Sequence, residues 1–464
     1  MFRSLAIRNY RIWFIAAFVS NVGGWMQSTA QSWVVLTELT DNDAFAVGIT
    51  MSLQFGPQLF LVPVVGAIID RFDRKKILFV TQATLLMLAV SLGLLLLLGH
   101  AELWHLYLFA TMFGITNSFD APARQTFVSD MVDDKLMANA VALNSTTFNA
   151  ARLIGPALAG ILIAVVGAGW VFILNGAGFL ATLIGLFLIR RAELKDQGRQ
   201  EGKIRFSQGL KYVAGRTDLI IVFIAIFLIG AFTMNFAIFS STMAVYYGEG
   251  AGEYGAVSSI LAIGSFAAAL FAARRERARL RVVFLSSAML ALAMAMSATM
   301  PSFWTFAASN ALIGFASVST LVTANGYVQT TTPAWVRGRV MTIYTAILLG
   351  GTPIGSPLAG WIANEFGPQW AIMMGALGAF LAAAIGIFWL LAVQKMRFRW
   401  NPDARRIVLT RYLPAELPIE HRFNDTVTFT APINLPAFLD EPQPEREVHE
   451  YDEDDVDDEF DSPR

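Results

Sequence analysis

What this chain offers to folding is a series of apolar runs of about 20 residues, joined by links too short to be domains. The stretch GAIIDRFDRKK at 66–76 shows the pattern. One apolar run ends there in six charges, Asp70, Arg71, Asp73, Arg74, Lys75 and Lys76, and the uncharged run 77–98 begins at once. Runs of this length cross a bilayer as helices, so the link is a tight hairpin with a basic tip. Excess Lys and Arg beside membrane segments mark the cytoplasmic side, and this turn therefore orients the chain. Gly66 is expected to let the helix end approach a neighbour closely. Asp70 is expected to pair with a basic side chain or to sit near a helix N-terminus, where negative charge is favoured.

Composition agrees with a membrane protein: 55% of residues are hydrophobic and 15% charged, against about a quarter charged in soluble proteins. There is no cysteine, which excludes disulfides, thiolate metal sites and cysteine nucleophiles. The basic start MFRSLAIRNYRIW runs directly into an apolar stretch with no small-residue cleavage site, as in a first membrane helix. The sequence predicts an all-α membrane protein of twelve helices, at 11–36, 45–69, 77–98, 103–127, 139–165, 169–189, 218–246, 254–273, 282–299, 303–329, 338–363 and 368–393. Alternate connectors carry the Lys and Arg residues. The others carry Glu38, Asp41, Asp43, Glu102, Glu249, Glu253 and Glu365 and no basic residue. By the positive-inside rule both termini are cytoplasmic. The expected organisation is a six-helix bundle at 1–190, a cytoplasmic linker with a short surface helix at 191–216, and a second six-helix bundle at 217–393. A cytoplasmic tail, basic and then acidic, follows at 394–464, and its composition predicts disorder.

The two bundles are related by an internal repeat. IGPALAG at 154–160 recurs as IGSPLAG at 354–360, and the same offset pairs Gly114 with Gly314, Gly167 with Gly367, Trp170 with Trp370, and Gly178 with Gly378. The pattern of Gly66, Asp70, Arg71, Asp73, Arg74 and Lys75 resembles the signature loop of the major facilitator superfamily, which joins the second and third membrane helices. Asp73 stands where that loop most often has Gly. With RLIGPALAG at 152–160, which resembles the fifth-helix motif of the superfamily's exporters, it is similar to the branch of bacterial exporters related to the enterobactin exporter. SNVGGWMQ at 20–27 and PARQTFVSDMV at 122–132 carry the same resemblance. The resemblance implies two parallel six-helix halves with alternating access, and export of a small amphipathic molecule, a siderophore or drug, by proton antiport. It implies a monomer in a bacterial inner membrane whose partners are substrate, protons and lipids. A lipid or lysophospholipid translocator, or an importer, of the same fold stays open, and so does a membrane sensor acting through the tail. The four histidines are scattered, and no triad, phosphate-binding loop or metal-ligand cluster appears. The expectation is therefore no enzyme, no cofactor, no metal and no nucleic acid.

Ionisable groups within membrane helices are costly and so mark function. Asn117, Asp120 and Arg124 share one face of the fourth helix; Ser145, Asn149, Arg152 and Pro156 share one face of the fifth. Arg152 lies about 20 Å from the cytoplasmic end of its helix, too deep to snorkel. Asp120 is expected to pair with it and to exchange a proton; the other reading is a permanent structural pair, with Arg124 at the membrane surface. At the repeat offset these charges become Thr320, Ala324 and Thr352, so they belong to the first half alone. The resemblance implies that helices one, four, seven and ten line the cavity. Asn21, Trp25, Ser28, Asn117, Asn149, Asn235, Phe236, Phe239, Asn310 and Asn325 are the candidates for substrate contact, with helix–helix hydrogen bonding as their other use. Gly66, Asp70, Arg71, Arg74 and Lys75 of the loop, with Gly155 and Pro156, are the candidates for conformational gating.

Overall fold

Each apolar run becomes a helix because a backbone in lipid must bond to itself. The computed structural model describes residues 3–194, 206–275, 278–393, 396–401 and 406–411. The first half contains α1 (Arg8–Trp33), α2 (Ala44–Arg71), α3 (Arg74–Leu97), α4 (Leu103–Met131), α5 (Asp134–Val166) and α6 (Ala168–Leu188). A short helix, α7 (Phe206–Ala214), precedes the second half. The seventh span is α8 (Thr217–Leu228), a π-helical turn at 229–233, and α9 (Phe236–Tyr246). Then come α10 (Ala251–Ala273), α11 (Leu280–Ala298), α12 (Phe303–Thr331), α13 (Ala334–Phe366) and α14 (Pro368–Phe388). The result is the twelve-helix major facilitator architecture. Among the described residues ten spans are long and apolar enough to cross a membrane. α1 and α4 fall short, and these are the helices carrying Gln27, Gln31, Asn117, Asp120 and Arg124.

The repeat is visible in the helix bounds: α4 with α12, α5 with α13, and α6 with α14 begin and end 200 residues apart. The corners match as well. Gly167 (φ 89°) and Gly367 (φ 98°) each hold the left-handed backbone that turns one helix into the next. Asp43 caps α2 by accepting from the Phe45 and Ala46 amides (2.8 and 3.2 Å), and Asp73 caps α3 by accepting from Lys75 (2.9 Å).

The halves meet through α2 with α13 and α5 with α10, near the face whose connectors carry the acidic residues. Small residues permit the approach. A Cβ on Gly48 would lie 2.3 Å from the Ser356 carbonyl oxygen, and one on Gly360 would lie 2.2 Å from that of Ala44. Gly160 and Gly255 close α5 against α10 in the same way. Hydrogen bonds reinforce the seam: Ser52 Oγ to the Pro353 carbonyl (2.6 Å), Ser356 Oγ to Gly48 (3.0 Å), Ser259 Oγ to Leu153 (3.1 Å), and Asn364 Nδ2 to Asp43 Oδ1 (2.6 Å). Trp33 stacks on Tyr254 at 5.7 Å across it.

Three expectations change. Gly66 is in open space, with nothing near the position of a Cβ; the glycine contacts that join the halves come at the acidic face instead. The surface helix α7 is packed: Tyr212 meets Trp335 edge-on at 6.2 Å, and Gly209 lies against Arg339 of α13. The start of the tail is structured, with Met396–Asn401 paired antiparallel to Arg406–Arg411. Arg and aromatic residues alternate along the first strand and Ile, Val, Leu and Thr fill the second, a period that a reading by composition passes over. The acidic end of the tail lies outside the described residues.

Candidate coupling site and substrate path

Asp120 of α4, which is 2% exposed, draws polar partners from α3 and from its own helix. Its Oδ1 accepts from Thr81 Oγ1 and from Gln82 Nε2 of α3, both at 2.7 Å, and its Oδ2 accepts from Arg124 Nε at 2.5 Å. Arg124 reaches on to Ser20 Oγ of α1 (3.3 Å) and stands over the Trp13 ring at 5.9 Å. Arg124 thus links Asp120 to α1.

The expected pair of Asp120 with Arg152 is therefore not formed. Asp120 takes its cation from its own helix, four residues on, and α5 packs on α1 and α10. Arg152 is half-buried near the middle of α5, 18 residues or about 27 Å from Asp134 at 1.5 Å per residue. Its guanidinium stands 5.5 Å from the Trp25 ring, and Trp25 meets Phe148 edge-on at 5.7 Å. Among the described residues it makes no hydrogen bond or ion pair. The next residue, Leu153, accepts the hydrogen bond from Ser259, so Arg152 sits at the inner edge of the seam. Gly155 lets α1 come this close, since a Cβ there would lie 2.6 Å from Trp25 Cβ. Pro156 lies against α10, where its carbonyl oxygen is 2.5 Å from the position of a Gly255 Cβ.

The candidate substrate residues divide. Asn21, Trp25, Asn117, Asn149, Phe236 and Asn325 are half-buried and Ser28 is exposed. Asn149 donates to the Ser145 carbonyl (2.8 Å), and Asn325 accepts from Gln329 (2.7 Å). Asn235, Phe239 and Asn310 do not line open space: all three are buried, and both amides donate to backbone of their own spans, at Ala231 (2.7 Å) and Phe306 (2.9 Å). Those inward turns of the seventh and tenth spans pack into the apolar core, which periodicity alone does not distinguish from a cavity face.

In the loop at 66–76 the charges bond within the first half. Asp73 holds Arg191 (2.8 Å), Arg74 holds Asp130 (2.5 Å), and Lys75 Nζ donates to the Ile189 carbonyl (2.9 Å). Arg71 is exposed, over the Phe72 ring at 5.9 Å. The side chain of Asp70 lies outside the described residues.

A second buried charge cluster escaped the sequence reading. Arg216 holds Asp218 with two bonds (2.8 and 2.6 Å), Tyr327 Oη donates to the same carboxylate (2.7 Å), and Arg216 donates to Tyr212 Oη (2.9 Å). This ties α7, α8 and α12 together, and the hydrogen bonds to Asp218 hold the Arg216 guanidinium above its ordinary range. The signal was present: an acid in the first helical turn two residues after an Arg, at a boundary assigned to the linker.

A polar ion pair inside one bundle and two repeated halves meeting at one face are the anatomy of a transporter. The model of the transmembrane secretion effector family matches residues 1–406. The chain belongs to that family. It is a major facilitator secondary transporter and not an enzyme, and it is a multi-pass membrane protein. It is 26% identical to the enterobactin exporter EntS of Salmonella choleraesuis over 399 residues, covering 85% of this chain and 94% of that protein. It is also 26% identical to the staphyloferrin A transporter of Staphylococcus aureus, over 77% of this chain and 90% of that one. These are distant relatives. Among solved structures, a bacterial homolog of the human lysosomal transporter Spinster superposes with a TM-score of 0.65 at 15% identity, over 85% of this chain and 99% of the other. A D-xylose–proton symporter gives 0.64 at 12% identity, over 80% and 96%. At such identities the likeness is one of fold.

Proposed function

We propose that this transporter exports a small amphipathic molecule, of the siderophore or drug class, by alternating access coupled to proton entry. The observation that carries the reading is the closed seam at the acidic face, with Arg152 half-buried at its inner edge. Polar groups at that depth are tolerated where they line water and not lipid. With the basic face in the cytoplasm, by the positive-inside rule, both termini are cytoplasmic and this is the conformation that loads from the cell interior. That one relative is an enterobactin exporter and the other a staphyloferrin A transporter supports a siderophore-like substrate. Their shared fold leaves a lipid translocator as the outcome if coupling fails.

Asp120 is the proton carrier in this reading and Arg124, not Arg152, its immediate partner. A proton arriving from outside neutralises Asp120 and frees Arg124 from it, and the loss is transmitted to Ser20 and Trp13 on α1. The loop at 66–76 latches the two halves at the basic face in the opposite conformation. Its bonds within one half are those of the released latch.

The test is reconstitution in liposomes with a pH-sensitive dye inside and a panel of siderophores, dyes and drugs as substrates. Wild type is expected to show substrate-dependent proton movement, and Asp120→Asn to abolish it. Substrate movement without proton flux in either protein would discard antiport and favour the lipid translocator or a facilitator.

A further inference from the structure

Arg152 lacks the anion that its position demands. An arginine at this depth in a membrane bundle is stable only when something negative or strongly polar meets it. Within the membrane spans described here, the buried carboxylates other than Asp130 are Asp120 and Asp218, and both are committed. Asp120 is held by Thr81, Gln82 and Arg124, and Asp218 by Arg216 and Tyr327. Asp130, at the far end of α4, holds Arg74.

Packing does not require the charge either. Thr352, at the matching position of the second half, is buried and donates its hydroxyl towards the Gly230 carbonyl (3.5 Å). Arg152 does not take this role: it turns its guanidinium to the Trp25 face and leaves its donors open. A guanidinium over an indole offers a flat apolar surface beside a fork of N–H donors, a combination suited to an aromatic body bearing a planar anionic group. Its place at the inner edge of the seam puts that anion at the closed end of the path, where a change in the seam is felt first.

We infer that Arg152, with Trp25 beneath it and Phe148 at the indole's edge, is the anion-recognition site for the transported molecule, and that this molecule is an aromatic organic anion. The assignment rests on the proposed function, in which the substrate path runs between the halves on the inner side of the seam. It gives Arg152 a role separate from proton transfer at Asp120, and it explains why the two charges do not meet.

The test is equilibrium binding to the purified full-length protein in lipid nanodiscs, read by tryptophan fluorescence. The probes are three naphthalene pairs that differ in charge: sulfonate against sulfonamide, carboxylate against carboxamide, and phosphate monoester against alcohol. Wild type is expected to prefer the anionic member of at least one pair by about tenfold or more, the ratio that a hydrogen bond to a charged group supplies. Arg152→Gln should bind both members of that pair alike, and Arg152→Lys should recover part of the preference. Equal affinity for both members of every pair in wild type, or no binding of any anion, overturns the inference. So does an anion preference that survives in Arg152→Gln. If Arg152→Gln does not fold, the wild-type comparison and Arg152→Lys decide: Arg152→Lys with the full wild-type ratio for every anion that wild type prefers removes the guanidinium-specific geometry. The readout is binding and not transport. A protein that binds these anions but moves no substrate in liposomes refutes the proposed function and leaves the site standing.

Discussion

Adding one methyl group at the seam should open the transporter to the outside. A Cβ at Gly48 would stand 2.3 Å from the Ser356 carbonyl oxygen and 2.8 Å from Pro357 Cα; at Gly360 it would stand 2.2 Å from the Ala44 carbonyl oxygen. All of these are backbone atoms that cannot swing aside. Ordinary contact begins near 3.4 Å, so α2 and α13 must part by about 1 Å for either alanine to fit. Overpacking of this kind costs about 1–3 kcal/mol. Only the closed seam bears the cost, so the ratio of closed to open should fall by about 5- to 150-fold for Gly48→Ala or Gly360→Ala. The chain has no cysteine of its own, and Asp41→Cys with Glu365→Cys, both at exposed positions of the acidic face, would carry spin labels across the seam. Double electron–electron resonance should show a longer-distance population growing in either variant. Gly314→Ala is the control. Its Cβ would lie 2.0 Å from the Leu261 carbonyl oxygen within the second half, so it should lower thermal stability and leave the label distance unchanged. An unchanged distance in all three variants, with comparable losses of stability, would refute the claim that these glycines set the conformational balance.

Two further outcomes follow from the buried charges. Asp120→Asn should lower stability by about 3 kcal/mol, because Arg124 is left buried without its counterion, and Asp120→Asn with Arg124→Leu should recover much of that loss; thermal unfolding in detergent reads both. Tyr327→Phe removes one donor from Asp218 and should cost about 1–2 kcal/mol in the same assay, while leaving the spin-label distance at the acidic face as in wild type.

The helices and their repeat were legible because lipid imposes one solution on an apolar run, and because an uninterrupted offset preserves helix bounds. Asp120 was legible as a costly group for the same reason. Its partner was not. Helical spacing places Asp120 and Arg124 on one face, but which helices surround α5 is decided by Gly155 against Trp25 and Gly160 against α10, contacts distant in sequence. The same limit applies to Asn235 and Asn310. Each lies on a polar turn of a helix expected to line the cavity, yet each donates to its own span and is buried. Thr81 and Gln82 carried no signal beyond polarity within an apolar run. Gly66 was the converse case: a small residue with nothing near the position of a Cβ.

Where α2 meets α13, the seam at the acidic face is largely backbone laid on backbone, with serine hydroxyls and glycines at the closest approaches. A barrier of this kind contains few rotamers to loosen one at a time. It parts as a whole or stays shut, and a water file has little room to thread through it in between. For a protein that sits across a charged membrane, this is electrical insulation: ions are not lost through a door left ajar.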